Sequence, residues 1–175
     1  GINVVNERRL TEGQEQFCAD YYASVVSERI VPLLIRKTTK MPFIGDGDIY
    51  LAVKMTGGKG KNVRYAFIQI PVSSACPRFV ELPSAEGRRD IIFLDDIIRL
   101  CLREAQIEMD GDISKSLMEK MEEGIENRYR GNPVRLIYDR DMPEDLLSLI
   151  VSKLSLKLGP SLDPGGRYHL KRDLM

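Results

Sequence analysis

The stretch Asn127-Arg-Tyr-Arg-Gly-Asn-Pro-Val-Arg-Leu-Ile-Tyr138, followed by Asp141-Met-Pro-Glu144, carries the strongest local signals in this chain. Its glycine and proline end a charged helix, because glycine accepts the left-handed cap conformation and proline cannot continue a helix. Residues 134–138 then alternate as a half-buried strand does. Asp141 is the predicted N-cap of a further helix, whose apolar stripe starts at Leu146. A helix, a strand and a capped helix in direct succession predict an α+β fold.

The rest of the sequence extends this pattern. Residues 48–55 and 62–70 alternate as strands around a glycine-rich segment, which predicts a β-hairpin, and two shorter strands lie between residues 79 and 94. Amphipathic helices follow start signals at Thr11, Asp95, Asp112 and Pro143, the first of which forms a capping box with Gln14. We therefore predict a single α+β domain whose helices cover an antiparallel or mixed sheet that includes the hairpin and residues 134–138.

Composition limits the classes of protein to which the chain can belong. Of its 175 residues, 43% are hydrophobic and 30% charged, as in ordinary globular domains. Lysine plus arginine equals aspartate plus glutamate, whereas nucleic-acid-binding domains are commonly basic, so we expect no nucleic-acid partner. Three scattered cysteines without a Cys-x-x-Cys motif predict buried, reduced thiols in a cytoplasmic protein. Because the sequence begins with Gly1 rather than methionine, we expect that the chain starts inside a longer protein or after a removed tag.

The central stretch resembles the middle, or head, domain of the bacterial polyphosphate kinase family, of the type that phosphorylates a histidine. The family pattern there is Arg-(Arg/Tyr)-x-Gly-x-(Pro/Ala)-Val-Arg-Leu, then Met-Pro and a helix, then a glycine-containing loop. Here the last part reads Gly165-Gly-Arg-Tyr-His-Leu-Lys-Arg-Asp-Leu-Met175. Ile30-Val-Pro-Leu-Leu34, Pro42-Phe43 and Ile68-Gln-Ile-Pro71 are similar to family turns nearer the start. The resemblance therefore runs nearly end to end.

The resemblance implies a function for a parent protein rather than for this chain alone. A polyphosphate kinase transfers the terminal phosphate of ATP to inorganic polyphosphate, with Mg²⁺, through a phosphohistidine in its C-terminal domains. Residues 1–175 would then be a non-catalytic scaffold and oligomerisation domain, without the N-terminal and catalytic C-terminal domains. The parent is expected to be a cytoplasmic homo-oligomer, peripheral to the inner membrane. The chain alone would be inactive and would hold no cofactor.

Several motifs resemble phosphate-binding, calcium-binding or catalytic sites but lack features that those sites require. Gly57–Lys61 lacks the Walker A spacing and a following helix. Asp46–Asp48 and Asp110–Asp112 resemble fragments of calcium loops, but neither has glutamate at the twelfth position. His169, the only histidine, lies in the C-terminal glycine-containing loop, whereas the resemblance implies a catalytic histidine outside this chain. We predict no catalytic residue and no metal site in this chain.

One basic cluster is the candidate binding site. Arg128, Arg130 and Arg135 stand where the predicted charged helix meets the predicted strand. The planar fork of arginine suits two phosphate oxygens at once, so a secondary, electrostatic contact with polyphosphate is one interpretation. The other is a solvated face in which these arginines pair with nearby acidic residues. The alternative function for the chain is a free-standing interaction or anion-binding module of the same fold.

At one junction, the predicted helix and the strand-like segment after it are not separated by a turn. The helix predicted after Asp95 meets the strand-like segment Ala105–Met109 with no turn signal between Leu102 and Arg103. In the resembled family a longer stretch, including a strand, lies at this point. We therefore predict that residues are missing between Leu102 and Arg103; the alternative is one helix that continues through both.

Overall fold

The computed structural model describes residues 1–35, 48–56, 63–107, 136–156 and 162–165. The structure contains helices together with strands that pair both in parallel and antiparallel, which confirms the predicted α+β class. The chain divides into two compact units, a finer division than the single domain that the sequence predicted. The first comprises Gly1–Leu34 and Ile49–Ile125, and the second comprises Ile35–Asp48 and Glu126–Met175.

A mixed three-stranded sheet forms one part of the first unit. Strand β1 (Ile2–Val5) pairs in parallel with β6 (Arg89–Phe93), which pairs antiparallel with β5 (Phe79–Leu82). Helices α1 (Glu12–Tyr21) and α2 (Leu94–Ile107) pack on one face of this sheet. The buried side chains between them are Val5, Cys18, Val80, Leu82, Ile92, Ile97 and Leu100.

The predicted hairpin forms a second sheet. Strand β3 (Tyr50–Thr56) pairs antiparallel with β4 (Val63–Gln69), in a register that sets Tyr50 opposite Gln69, and β2 (Pro32–Ile35) lies on the other side of β4. Its core again includes α2. The buried residues of this second core are Val26, Ile30, Leu51, Ile68, Ile70, Cys76, Leu94 and Ile98. Helix α2 therefore contributes to both cores of the unit.

The predicted capping box opens α1. The Thr11 hydroxyl accepts from the Gln14 backbone N–H at 3.3 Å, and the Gln14 side chain accepts from the Thr11 N–H at 3.2 Å. After Tyr21 the helix widens into a π-helical segment, Tyr22–Val26, and then tightens into a 3₁₀ turn, Ser27–Arg29. The next residue, Ile30, is extended, and Pro32 follows as the buried first residue of β2.

The second unit contains a parallel pair of strands joined through a helix. Strand β7 (Leu136–Asp139) pairs with β8 (Leu162–Gly165), and α3 (Glu144–Lys153) lies between them in sequence. Apolar side chains at helical spacing are buried on α3 and just after it: Leu146, Ile150, Val151 and Leu154. The strand predicted at 134–138 is confirmed for residues 136–138. The prediction that this strand and the hairpin belong to one sheet is wrong, because in the described part of the chain β7 pairs with β8.

Two of the residues predicted as helix N-caps do not occupy the cap position. Helix α3 begins at Glu144 with Pro143 in the cap position, so Asp141 is not its N-cap. Asp141 instead donates its backbone N–H to the Asp139 carboxylate at 3.0 Å, which closes a turn after β7. Helix α2 begins at Leu94, so Asp95 lies inside the first helical turn rather than at the cap.

Three strands, β1, β2 and β8, were missed, and one predicted strand is wrong. Strand β1 is too short to show a pattern, and β8 contains proline and glycine, which are uncommon in strands. The strand-like segment Ala105–Met109 is helical through Ile107, where the described residues end. The helix predicted after Asp112 lies outside the described residues.

Candidate functional site

A buried polar network in the first unit includes Asp90 on β6, which is 4% exposed. Its Oδ1 accepts from Asn3 Nδ2 at 2.8 Å and from Arg88 Nε at 2.6 Å, and its Oδ2 accepts from Gln14 Nε2 at 3.1 Å. Its backbone N–H donates to Ser84 Oγ at 2.9 Å. One carboxylate thus joins β1, α1, β6 and the loop between β5 and β6.

Gln14 extends this network into the start of α1. Its amide oxygen takes part in the capping box, while its Nε2 donates to the Pro83 carbonyl at 3.0 Å as well as to Asp90. A buried amide needs partners on both its oxygen and its nitrogen, and Gln14 has them. The beginning of α1 and the edge of the sheet are therefore held by the same side chain.

The hydrogen bond from Asn3 is the largest influence that holds the pKa of Asp90 below its usual range. Burial opposes this effect, and hydrogen bonds from Arg88 and Gln14 add to it. Since these donors favour the charged form, Asp90 is an ionised acceptor at neutral pH. A general acid or base needs the opposite adjustment, with a pKa moved toward the working pH. The environment of Asp90 therefore suits a structural role.

A second polar cluster lies at the start of α2. Asp95 and Asp96 are 1% and 0% exposed. Arg99, one helical turn later, lies with its Nη1 2.8 Å from Asp96 Oδ1 and 3.3 Å from Asp95 Oδ2. Arg78, which precedes β5, lies with its Nη2 3.9 Å from Asp95 Oδ1, and its guanidinium carbon is 5.4 Å from the centre of the Phe93 ring.

This cluster is balanced in charge and closed to solvent on its acidic side. Two carboxylates face two guanidinium groups, and the positive end of the α2 dipole adds to their stabilisation. A substrate cannot reach carboxylates that are so deeply buried. The arrangement instead ties the start of β5, through Arg78, to the first turn of α2.

The cysteines have the environment expected of reduced structural thiols. None of Cys18, Cys76 and Cys101 forms a disulfide; the first two are fully buried, as predicted, and Cys101 is half-buried. Burial raises the pKa of Cys18 to about 11 and also raises the pKa of Cys76. Because the thiolate is the nucleophile, these two buried thiols are unreactive at neutral pH.

The predicted polyanion site cannot be placed. Arg128, Arg130 and Arg135 lie outside the described residues, as does His169.

Within the described ranges, no group of three or more histidine, cysteine or acidic side chains could hold a metal ion. The same ranges contain no helix that is long and apolar enough to cross a membrane. Sequence reasoning missed Asp90, whose partners Asn3 and Gln14 are distant in sequence. It also missed the cluster at Asp95, although the spacing of Asp95, Asp96 and Arg99 on one helix is a local signal for ion pairing.

A family model described as the polyphosphate kinase middle domain matches residues 13–104 and 101–175. The chain belongs to this family. Polyphosphate kinases of Vibrio parahaemolyticus and Escherichia coli K12 are 35% and 34% identical to it over 198 positions. These matches cover 99% of the chain but 28% of each relative. The chain thus spans little more than a quarter of the length of these relatives.

The fold of the family agrees with the structure of this chain. A crystal structure of polyphosphate kinase from Porphyromonas gingivalis superposes with a TM-score of 0.68, covering 96% of the chain and 26% of that protein. Sequence identity in this match is 22%, so it supports the fold alone.

The family match also bears on the Leu102–Arg103 junction. Its two segments meet at residues 101–104, within α2. The matches to relatives run over 198 positions, and 198 minus the 175 residues of this chain leaves at least 23 positions opposite gaps. The relatives are therefore longer within the matched region, and the family match breaks at this point. In this chain α2 continues through both residues, as the alternative of one continuous helix predicted.

The pKa of Asp90 leads to a prediction about acid stability. Because the folded pKa is lowered, Asp90 stabilises the fold above its unfolded pKa, and this contribution is lost as pH falls through the folded pKa. Asp90→Asn should therefore lower the free energy of unfolding at pH 7. The difference from the unmodified chain should shrink as pH falls below about 4. Urea unfolding between pH 7 and pH 3 measures both quantities.

A matched control is Asp20→Asn, which removes an exposed carboxylate from α1 and should change stability little at any of these pH values. A stability difference between Asp90→Asn and the unmodified chain that stays constant from pH 7 to pH 3 would contradict the assigned role of the Asp90 charge.

The buried cluster leads to a prediction about arginine. Arg99→Met removes the guanidinium that two buried carboxylates share and should destabilise the chain by about 3 kcal/mol. Arg89→Met is the matched control, since Arg89 pairs with Glu81 on the surface and exposed pairs contribute little. Equilibrium urea unfolding of both variants provides the comparison. Equal losses of stability would show that burial does not distinguish the two pairs.

Proposed function

We propose that this chain is the non-catalytic middle domain of a polyphosphate kinase, in which it acts as a scaffold and contributes to the oligomer. The observation that carries the proposal is the match of the middle-domain model to residues 13–104 and 101–175. The relatives named polyphosphate kinase are between three and four times as long as this chain, since it spans 28% of them. The remainder of such a protein offers room for separate catalytic domains.

The chemistry of the described residues supports a structural role for this domain. Its buried carboxylates are neutralised by arginines or held ionised by amide donors, and its buried thiols have raised pKa values. These are the environments of groups that stabilise a fold. In the described ranges, no acidic, histidine or cysteine cluster suits Mg²⁺. No step involving Mg²⁺ or ATP is therefore assigned to these residues.

In the proposed parent, the transfer of the terminal phosphate of ATP to polyphosphate takes place through a phosphohistidine outside this chain. Mg²⁺ would supply charge stabilisation to the transferring phosphoryl group in those other domains. We place the parent in the cytoplasm as a homo-oligomer. The contribution of this domain is to hold its neighbours in position, because a catalytic site built from several domains depends on their relative placement.

We further propose a secondary electrostatic contact between polyphosphate and Arg128, Arg130 and Arg135. The support for it is chemical. Arginine carries a permanent charge and can present two N–H groups to adjacent phosphate oxygens. A long polyanion can contact such a cluster while its reacting end lies elsewhere, whereas ATP is too short to reach both places. The cluster should therefore affect binding of long chains more than binding of ATP.

The proposed lack of catalytic activity is tested with the purified 175-residue chain. We expect it neither to consume ATP with polyphosphate nor to make ATP from polyphosphate, when phosphate transfer is measured with Mg²⁺ present. Turnover above background that is lost in His169→Ala would overturn the proposal. Sequencing the reading frame on both sides decides the remaining alternative. A catalytic region after Met175 supports the kinase, and a stop codon there supports a free-standing interaction or anion-binding module.

The arginine contact is tested with the double variant Arg128→Ala, Arg135→Ala in the longer enzyme. At low salt it should weaken binding of long-chain polyphosphate and leave ATP binding unchanged. The difference should narrow as salt rises, since charges are screened over roughly 8 Å at physiological ionic strength. Lys153→Ala, a change of another basic residue, serves as the control for nonspecific loss of charge. Unchanged polyphosphate affinity at low salt would reject the contact.

A further inference from the structure

We draw no further inference here: the strongest candidate, the ion cluster of Arg78, Asp95, Asp96 and Arg99 between the start of β5 and the first turns of α2, carries none, because its two buried carboxylates are neutralised by its own two arginines and it belongs to the structural network already described.

Discussion

The absence of any linker between β6 and α2 is the constraint on which the first unit depends. Phe93 is the last residue of the strand and Leu94 is the first of the helix, so the direction of one fixes the starting direction of the other. From this start, Leu94 and Ile98 point into the core beneath the hairpin sheet, while Ile97 and Leu100 point into the core beneath the mixed sheet. One short helix thereby determines the position of two sheets.

The charged residues of α2 are a consequence of the same geometry. A helix that packs on two sides has little exposed surface in its first turn, and Asp95 and Asp96 fall in that turn. Buried carboxylates are costly unless they are paired, so Arg99 from the next turn and Arg78 from the start of β5 complete the cluster. The charge of Asp90 is stabilised differently, by amide donors and one arginine. Each set includes at least one donor that is distant in sequence, Asn3 for Asp90 and Arg78 for Asp95, so each set is complete only in the folded unit.

The sequence predicted those parts of the fold that are determined by local pattern. The hairpin, the capping box at Thr11, the strand near Leu136 and the apolar stripe of α3 all follow from the order of side chains over a few residues. It did not predict which strands share a sheet, because the pairing of β7 with β8 depends on a segment with proline and glycine. The network of Asp90 was missed for a related reason. Asn3 and Asp90 are 87 residues apart in sequence, and nothing local links them.

The continuous helix α2 has a consequence for how the chain length of this family can vary. The α2 side chains from Leu94 to Leu100 contribute to both of the cores described above and to the buried ion cluster. The break in the family match falls later in the helix, at residues 101–104. An insertion earlier in α2 would have to interrupt two cores and a buried ion cluster, whereas one at this point leaves all of them intact. The packing of the first turns of α2 thus limits where in this helix the length of the domain can change.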